Sequence, residues 1–128
     1  MIIDQVSVFL QNEAGRLVNI TEALERANVN IDALSISETE EYGIVRLIFS
    51  DTEAGIAALR EAGFTTKVTK INCLEVPDVP GELNRILRTL ANAGINVSYM
   101  YGYSRQNRAN LVVRTSDPEM TEAVLAGK

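Results

Sequence analysis

Two short segments carry the residue types from which a binding site could be made: Asn12-Glu13-Ala14-Gly15 and Asp78-Val79-Pro80-Gly81. In each, a polar side chain stands three residues ahead of a glycine, and an apolar-periodic run follows. Glycine lets the backbone approach a ligand closely, and a helix start offers unpaired N–H donors to an anion. A carboxylate held there gains about 1.5–3 kcal/mol from each charge-assisted bond. The side chain of Asn12 or Asp78 offers an acceptor to an ammonium group. Asn30 and Asn96 add an amide with both a donor and an acceptor. Together these groups suit a zwitterion, one end taking the carboxylate and the other the ammonium. The same residues also fit a purely local role, because Asn and Asp commonly cap helix starts and Asn commonly caps helix ends.

What is missing narrows the chemistry. The 128 residues contain no histidine, so no His-based triad, general base or metal site can form. Cys73 is the single cysteine, so no internal disulfide or multi-Cys zinc site is available, which favours a cytoplasmic setting. No catalytic residue, metal or cofactor is therefore expected. A net charge of −5 argues against broad nucleic-acid binding, which needs Lys and Arg on phosphates. With 46% hydrophobic residues the chain can fill a core, yet no apolar run approaches the ~20 residues of a membrane helix. The N-terminal MIIDQVSVFL carries Asp4 and no basic flank, unlike a signal peptide.

The elements that position these residues come from an internal repeat. Shifted by 66, the sequence matches itself without gaps: Gly15 with Gly81, Leu17 with Leu83, Ile20 with Ile86, Leu24 with Leu90, Asn30 with Asn96, and Ser50-Asp51 with Ser116-Asp117. Each copy begins with a strand (Gln5 to Leu10; Ile71 to Val76) and continues into a helix with apolar residues at 3–4 spacing. Asn28 and Gly94 stand where a helix ends in a left-handed residue. Two further strands run from about Asn30 to Ser37 and Ile44 to Phe49, repeated at Asn96 to Tyr103 and Asn110 to Thr115. A second helix starts behind Ser50-Asp51-Thr52-Glu53, which fits a capping box, and again behind Ser116-Asp117-Pro118-Glu119. Thr65 to Lys70 supplies a fourth strand to the first copy only. The expected fold is α+β: two ferredoxin-like βαββαβ units, 1–70 and 71–128, with antiparallel sheets and helices on one face. The second unit lacks its last strand, so its first strand needs cover from a partner copy or the other repeat.

At this point the residues resemble a known family. Asp78-Val79-Pro80-Gly81-Glu82-Leu83 followed by Ala93-Gly94-Ile95-Asn96-Val97 is similar to the signature of ACT domains, and Asn12-Glu13-Ala14-Gly15-Arg16-Leu17 with Ala27-Asn28-Val29-Asn30-Ile31 is a looser version. The resemblance spans nearly the whole chain as a tandem pair. It implies a regulatory module that binds a small amino acid at interfaces of paired units, as a homodimer, and acts on a catalytic partner enzyme. Carried over, the ligand residues would be Asn12, Ala14, Gly15, Arg16, Leu17 and Asn30 in the first copy. In the second they would be Asp78, Pro80, Gly81, Glu82, Leu83 and Asn96. The alternative is a ligand-free interaction subunit of an amino-acid metabolic enzyme.

Tyr99, Tyr101 and Tyr103 alternate on one strand, but the charge has the wrong sign for stacking RNA bases, and a protein contact suits them better. The hairpin tips differ in charge, Glu38, Glu40 and Glu41 against Arg105 and Arg108, which fits either solvated turns or mutual attraction. An acylphosphatase-like site would need an arginine-bearing phosphate loop that Arg16 and Glu82 do not reproduce. Cys73 falls inside a strand, as a core residue rather than a nucleophile.

Overall fold

The computed structural model describes residues 1–11, 13–38 and 42–127. Its elements follow in the order β1 (Ile2–Gln11), α1 (Arg16–Arg26), β2 (Ile31–Glu38), β3 (Tyr42–Phe49), α2 (Thr52–Glu61), β4 (Thr66–Pro77), α3 (Glu82–Asn92), β5 (Val97–Arg105), β6 (Arg108–Thr115) and α4 (Pro118–Ala126). This is the βαββαβ pattern with its second copy cut short. The chain divides into two compact units, Asp4–Thr69 and Met1–Ile3 with Lys70–Lys128. No helix among the described residues is long and apolar enough to cross a membrane.

In the first unit the strands lie in the order β2-β3-β1-β4. β1 and β2 both run antiparallel to β3, with Val6 opposite Leu47, Val8 opposite Val45 and Ile36 opposite Val45. Side chains alternate across a strand, so Val6, Val8 and Leu10 point to one face. There they meet Ile20 and Leu24 of α1 and Leu59 of α2 in one buried cluster. Helices α1, α2 and α3 stop by the same device. Asn28 (φ 56), Gly63 (φ 91) and Gly94 (φ 73) take the left-handed conformation. The next residue then donates its N–H five back: Val29 to Leu24 at 3.0 Å, Phe64 to Leu59 at 2.9 Å, Ile95 to Leu90 at 2.9 Å. This is the Schellman arrangement, and the apolar residue that follows packs into the core beside the helix it ends.

The starts of α2 and α4 differ from the expected capping box. Asp51 and Asp117 are the caps, accepting from Ala54 at 3.1 Å and Met120 at 3.0 Å. The serines are occupied elsewhere: Ser50 accepts the Asn30 N–H at 3.2 Å and returns its own N–H to the Asn30 carbonyl at 2.9 Å. Ser116 and Asn96 repeat the pair at 3.0 and 2.9 Å. Each serine therefore pins the entry of a strand, and the neighbouring aspartate is left to cap the helix.

In the second unit β6 lies between β4 and β5, antiparallel to both, with Leu74 opposite Leu111 and Gly102 opposite Leu111. The strand expected over Thr65–Lys70 and that over Ile71–Val76 are one unbroken element, β4, because no turn residue separates them. Its open edge is covered by the chain's own first residues. The Met1 ammonium donates to the Cys73 carbonyl at 2.9 Å, and the Cys73 N–H donates to the Met1 carbonyl at 2.8 Å. The Met1 ammonium also pairs with the Glu122 carboxylate.

The units fill one equivalent core position in two ways. In the first, Val6, Phe49 and Gly55 meet; a Cβ added at Gly55 would lie 2.3 Å from the Phe49 ring. In the second, the corresponding residues are Asn72, Thr115 and Thr121, all buried. Asn72 accepts from the Thr115 hydroxyl at 3.2 Å and donates to the Pro118 carbonyl at 3.1 Å, while the Thr121 and Thr115 hydroxyls lie 2.9 Å apart. A small residue on the helix is needed only where phenylalanine stands on the strand. Gly55→Ala should therefore lower the urea midpoint, a loss of about 1–3 kcal/mol. Combining it with Phe49→Leu should recover part of that loss in the same denaturation measurement.

Candidate functional site

The connection from β4 to α3 is held at both ends. The Asp78 N–H donates to the Asn107 carbonyl at 2.9 Å, tying the loop to the β5–β6 turn. Gly81 then takes φ 91, a left-handed cap that brings no side chain to the helix start. The first bond of the helix ladder runs from the Arg85 N–H to the Gly81 carbonyl at 2.9 Å. The N–H groups of Leu83 and Asn84 precede it, at the place where helix donors are left to a ligand or water. The same geometry recurs in the first unit, where Gly15 takes φ 86 and the Asn19 N–H donates to its carbonyl at 3.1 Å.

Beside the second of these loops lies a cleft of 320 Å³. That is at the small end of the ~300–1,000 Å³ usual for small-molecule sites. Val76 and Pro77 of β4, Asp78 and Val79 of the loop, and Glu82 and Leu83 of α3 form one side. Met100 to Ser104 of β5, with Ala109 and Leu111 of β6, form the other. At Gly102 there is no room for more: a Cβ would lie 2.4 Å from the Asn110 carbonyl oxygen and 2.8 Å from Leu111. The wall is apolar, with Asp78, Glu82 and the Ser104 hydroxyl at its margin.

Glu82 is already engaged. The Arg85 Nε donates to its two oxygens at 3.1 and 3.2 Å, and the Arg85 Nη2 pairs with it as well. That hydrogen bond, reinforced by the charge of Arg85, holds the Glu82 carboxyl below the usual carboxylate range. Among the described residues, Asp78 is the acid of the cleft without such an ion pair.

Of the residues singled out from sequence, Asp78, Glu82 and Leu83 come together in this cleft, and Pro80 and Gly81 lie exposed between them. Asn96 does not join them within the unit. It sits at the opposite end of β5, nine residues long at roughly 3.3 Å each, and its N–H is spent on Ser116. In the first unit Asn12 lies outside the described residues. Ala14 and Gly15 are exposed, and Leu17 packs against the core. Arg16 sets its guanidinium carbon 5.6 Å from the centroid of the Phe64 ring, within cation–π reach. The Asn30 amide donates to Asp32 at 3.4 Å.

Met100, Gly102, Ser104 and Leu111 were not singled out, because a strand residue joins a site only through its neighbours. One signal was available: at the 66-residue offset Gly102 stands against Ile36. The tyrosines pair with Arg114, Val112 and Asn110, whereas Gly102 pairs with Leu111, which packs on the α3 core. Tyr99, Tyr101 and Tyr103 therefore face away from the helices. Of the charged hairpin tips, Glu40 and Glu41 lie outside the described residues, and Arg108 donates to Glu75 at 3.0 Å. Cys73 is half-buried; burial pushes its thiol up, the Met1 ammonium opposes this, and Glu122 adds to the rise. That favours the inert thiol over the thiolate. No cluster of metal-ligating side chains occurs among the described residues.

The family model for an ACT domain pair matches residues 1–128. Among solved structures, protein BT0572 from Bacteroides thetaiotaomicron is 37% identical, covering 99% of this chain and 88% of that one, with a TM-score of 0.95. The ligand-free regulatory subunit of aspartate kinase from Thermus thermophilus shares the fold at 12% identity and a TM-score of 0.71, covering 99% and 96%. The corresponding subunit from Thermus flavus is similar at 14% and 0.69, covering 98% and 92%. A search of curated protein sequences gave no match.

The Glu82–Arg85 pair sets a pH dependence. A carboxyl depressed by folding adds stability above the ordinary glutamate range and loses it as pH falls through the lowered value. A carbon-detected NMR titration should place the Glu82 midpoint below the ordinary glutamate range, and Arg85→Ala should return it to that range.

Proposed function

Because the chain belongs to the ACT domain pair family, a regulatory family, we propose that it binds a free amino acid and passes that state to a partner enzyme or pathway. The observation that carries this reading is the cleft at the start of α3. Free N–H donors at a helix start suit a carboxylate, the Asp78 carboxylate suits an ammonium, and an apolar wall suits a side chain. A glycine in the left-handed conformation lets those groups stand close together without a capping side chain in the way.

The cleft is open, so a second copy of the chain placed over it would complete the site. Binding would then favour the assembled form, and a coupling of about 1–3 kcal/mol is enough for regulation. No catalytic step is assigned to this chain; chemistry would reside in the partner, as the regulatory subunits of aspartate kinase among the solved structures suggest. A cytoplasmic setting goes with this reading, where the lone thiol of Cys73 stays reduced.

Thermal unfolding in the presence of each of the twenty amino acids tests the proposal. The matching one, at a hundred times its dissociation constant, should add about 2.7 kcal/mol of stability. If all twenty leave the transition unmoved, the chain acts as a ligand-free interaction subunit instead.

A further inference from the structure

The turn between β5 and β6 is held in a conformation that few residue types tolerate. Arg105 and Arg108 are the closing pair of the ladder, so the loop between them is Gln106 and Asn107 alone. Both are left-handed, at φ 54 and φ 64. Positive φ at both central residues is the mark of the type I′ hairpin turn, whose twist matches the strands it joins. Asparagine enters that region readily and glycine enters it without strain, whereas a β-branched residue is strained there.

This turn also holds the loop of the cleft. β4 pairs with β6 as far as Pro77 opposite Arg108, and proline has no N–H to give. The next donor, the Asp78 N–H, reaches past the strand to the Asn107 carbonyl at 2.9 Å. Arg108 braces the same junction, its Nε donating to the Glu75 carboxylate at 3.0 Å and its Nη2 to the Glu75 carbonyl at 3.3 Å. Asp78 is exposed, so packing does not place it, and its backbone bond to the turn does. Ser104 and Ala109, the pair next to the closing one, line the cleft as well.

Resting on the amino-acid-binding reading above, we propose that Asn107 is a positioning residue of that site: its left-handed backbone aims the carbonyl that fixes Asp78, and so sets where a ligand's ammonium is held. Asn107 does not line the cleft and acts through Asp78. Its φ matters to the site, and its side chain does not. A turn that loses positive φ at this position withdraws the carbonyl and releases the Asp78 N–H. The carboxylate is then no longer held at one distance from the donors at the start of α3. The two charged ends of an amino acid are a fixed distance apart, so anchors that are not held in place bind it more weakly.

Amide hydrogen exchange on the full chain reads the bond, and thermal unfolding with each of the twenty amino acids reads the site. Asn107→Gly keeps the left-handed turn, so Asp78 exchange and the response to the most stabilising amino acid should both match the unmodified chain. Asn107→Val should speed Asp78 exchange and weaken that amino acid, each by about tenfold, the loss of roughly one hydrogen bond. Asn107→Ala makes the same comparison if Asn107→Val does not fold. Gly63→Ala puts an equivalent strain at φ 91 at the end of α2, where an added Cβ meets nothing within 4 Å. It should lower the melting temperature and leave both readings unchanged. Fast Asp78 exchange in the unmodified chain, unchanged binding in Asn107→Val, or an equal loss of binding in Gly63→Ala would overturn the positioning role while leaving amino-acid binding intact. Binding of none of the twenty amino acids would overturn both.

Discussion

A left-handed backbone at Gly15 and Gly81 is the constraint on which the rest of the site depends. Strand and helix must meet at a sharp angle within four residues, and an L side chain is strained at φ near 90°. Glycine removes that strain, and it also removes the side chain that would otherwise cap the helix. The donors at the start of α3 stay free as a direct result. One backbone requirement thus shapes the turn and leaves its chemistry unspent.

Everything else holds that turn in place. The Schellman ends of α1, α2 and α3 each send the chain back into the core through Val29, Phe64 or Ile95. The serine–asparagine pairs then fix where β2 and β5 begin. Two solutions to core filling follow from the same framework. Val6, Phe49 and Gly55 fit by shape; Asn72, Thr115 and Thr121 fit by hydrogen bonds. A hydrogen-bonded trio cannot be assembled piecemeal, because a lone buried hydroxyl or amide costs about 1–3 kcal/mol. The second unit's core is therefore specified by direction as well as by volume.

The architecture was legible because it is written locally and twice. Apolar spacing placed the helices, and Asn28 and Gly94 marked their ends. The capping serines were misread for a physical reason: Ser50 and Asp51 are equally able to cap, and only the backbone of Asn30, twenty residues away, decides between them. The cleft was half legible. Asp78, Glu82 and Leu83 follow from the loop, while Met100 and Gly102 enter it through cross-strand register, which period-2 patterns do not encode. The cover of the second unit's edge was open between a partner copy and the other repeat, and it comes from residues 1–3 of the same chain.

That last pairing has a kinetic side. Met1 and Cys73 are 72 positions apart, so their backbone bonds close a long loop. Loop closure of this kind slows folding more than it weakens the folded state, because its entropy is spent before the contacts form. Met1 is made 72 residues ahead of Cys73, so these bonds form only once Cys73 has emerged from the ribosome. The order of synthesis and the order of assembly run in opposite directions at this one edge.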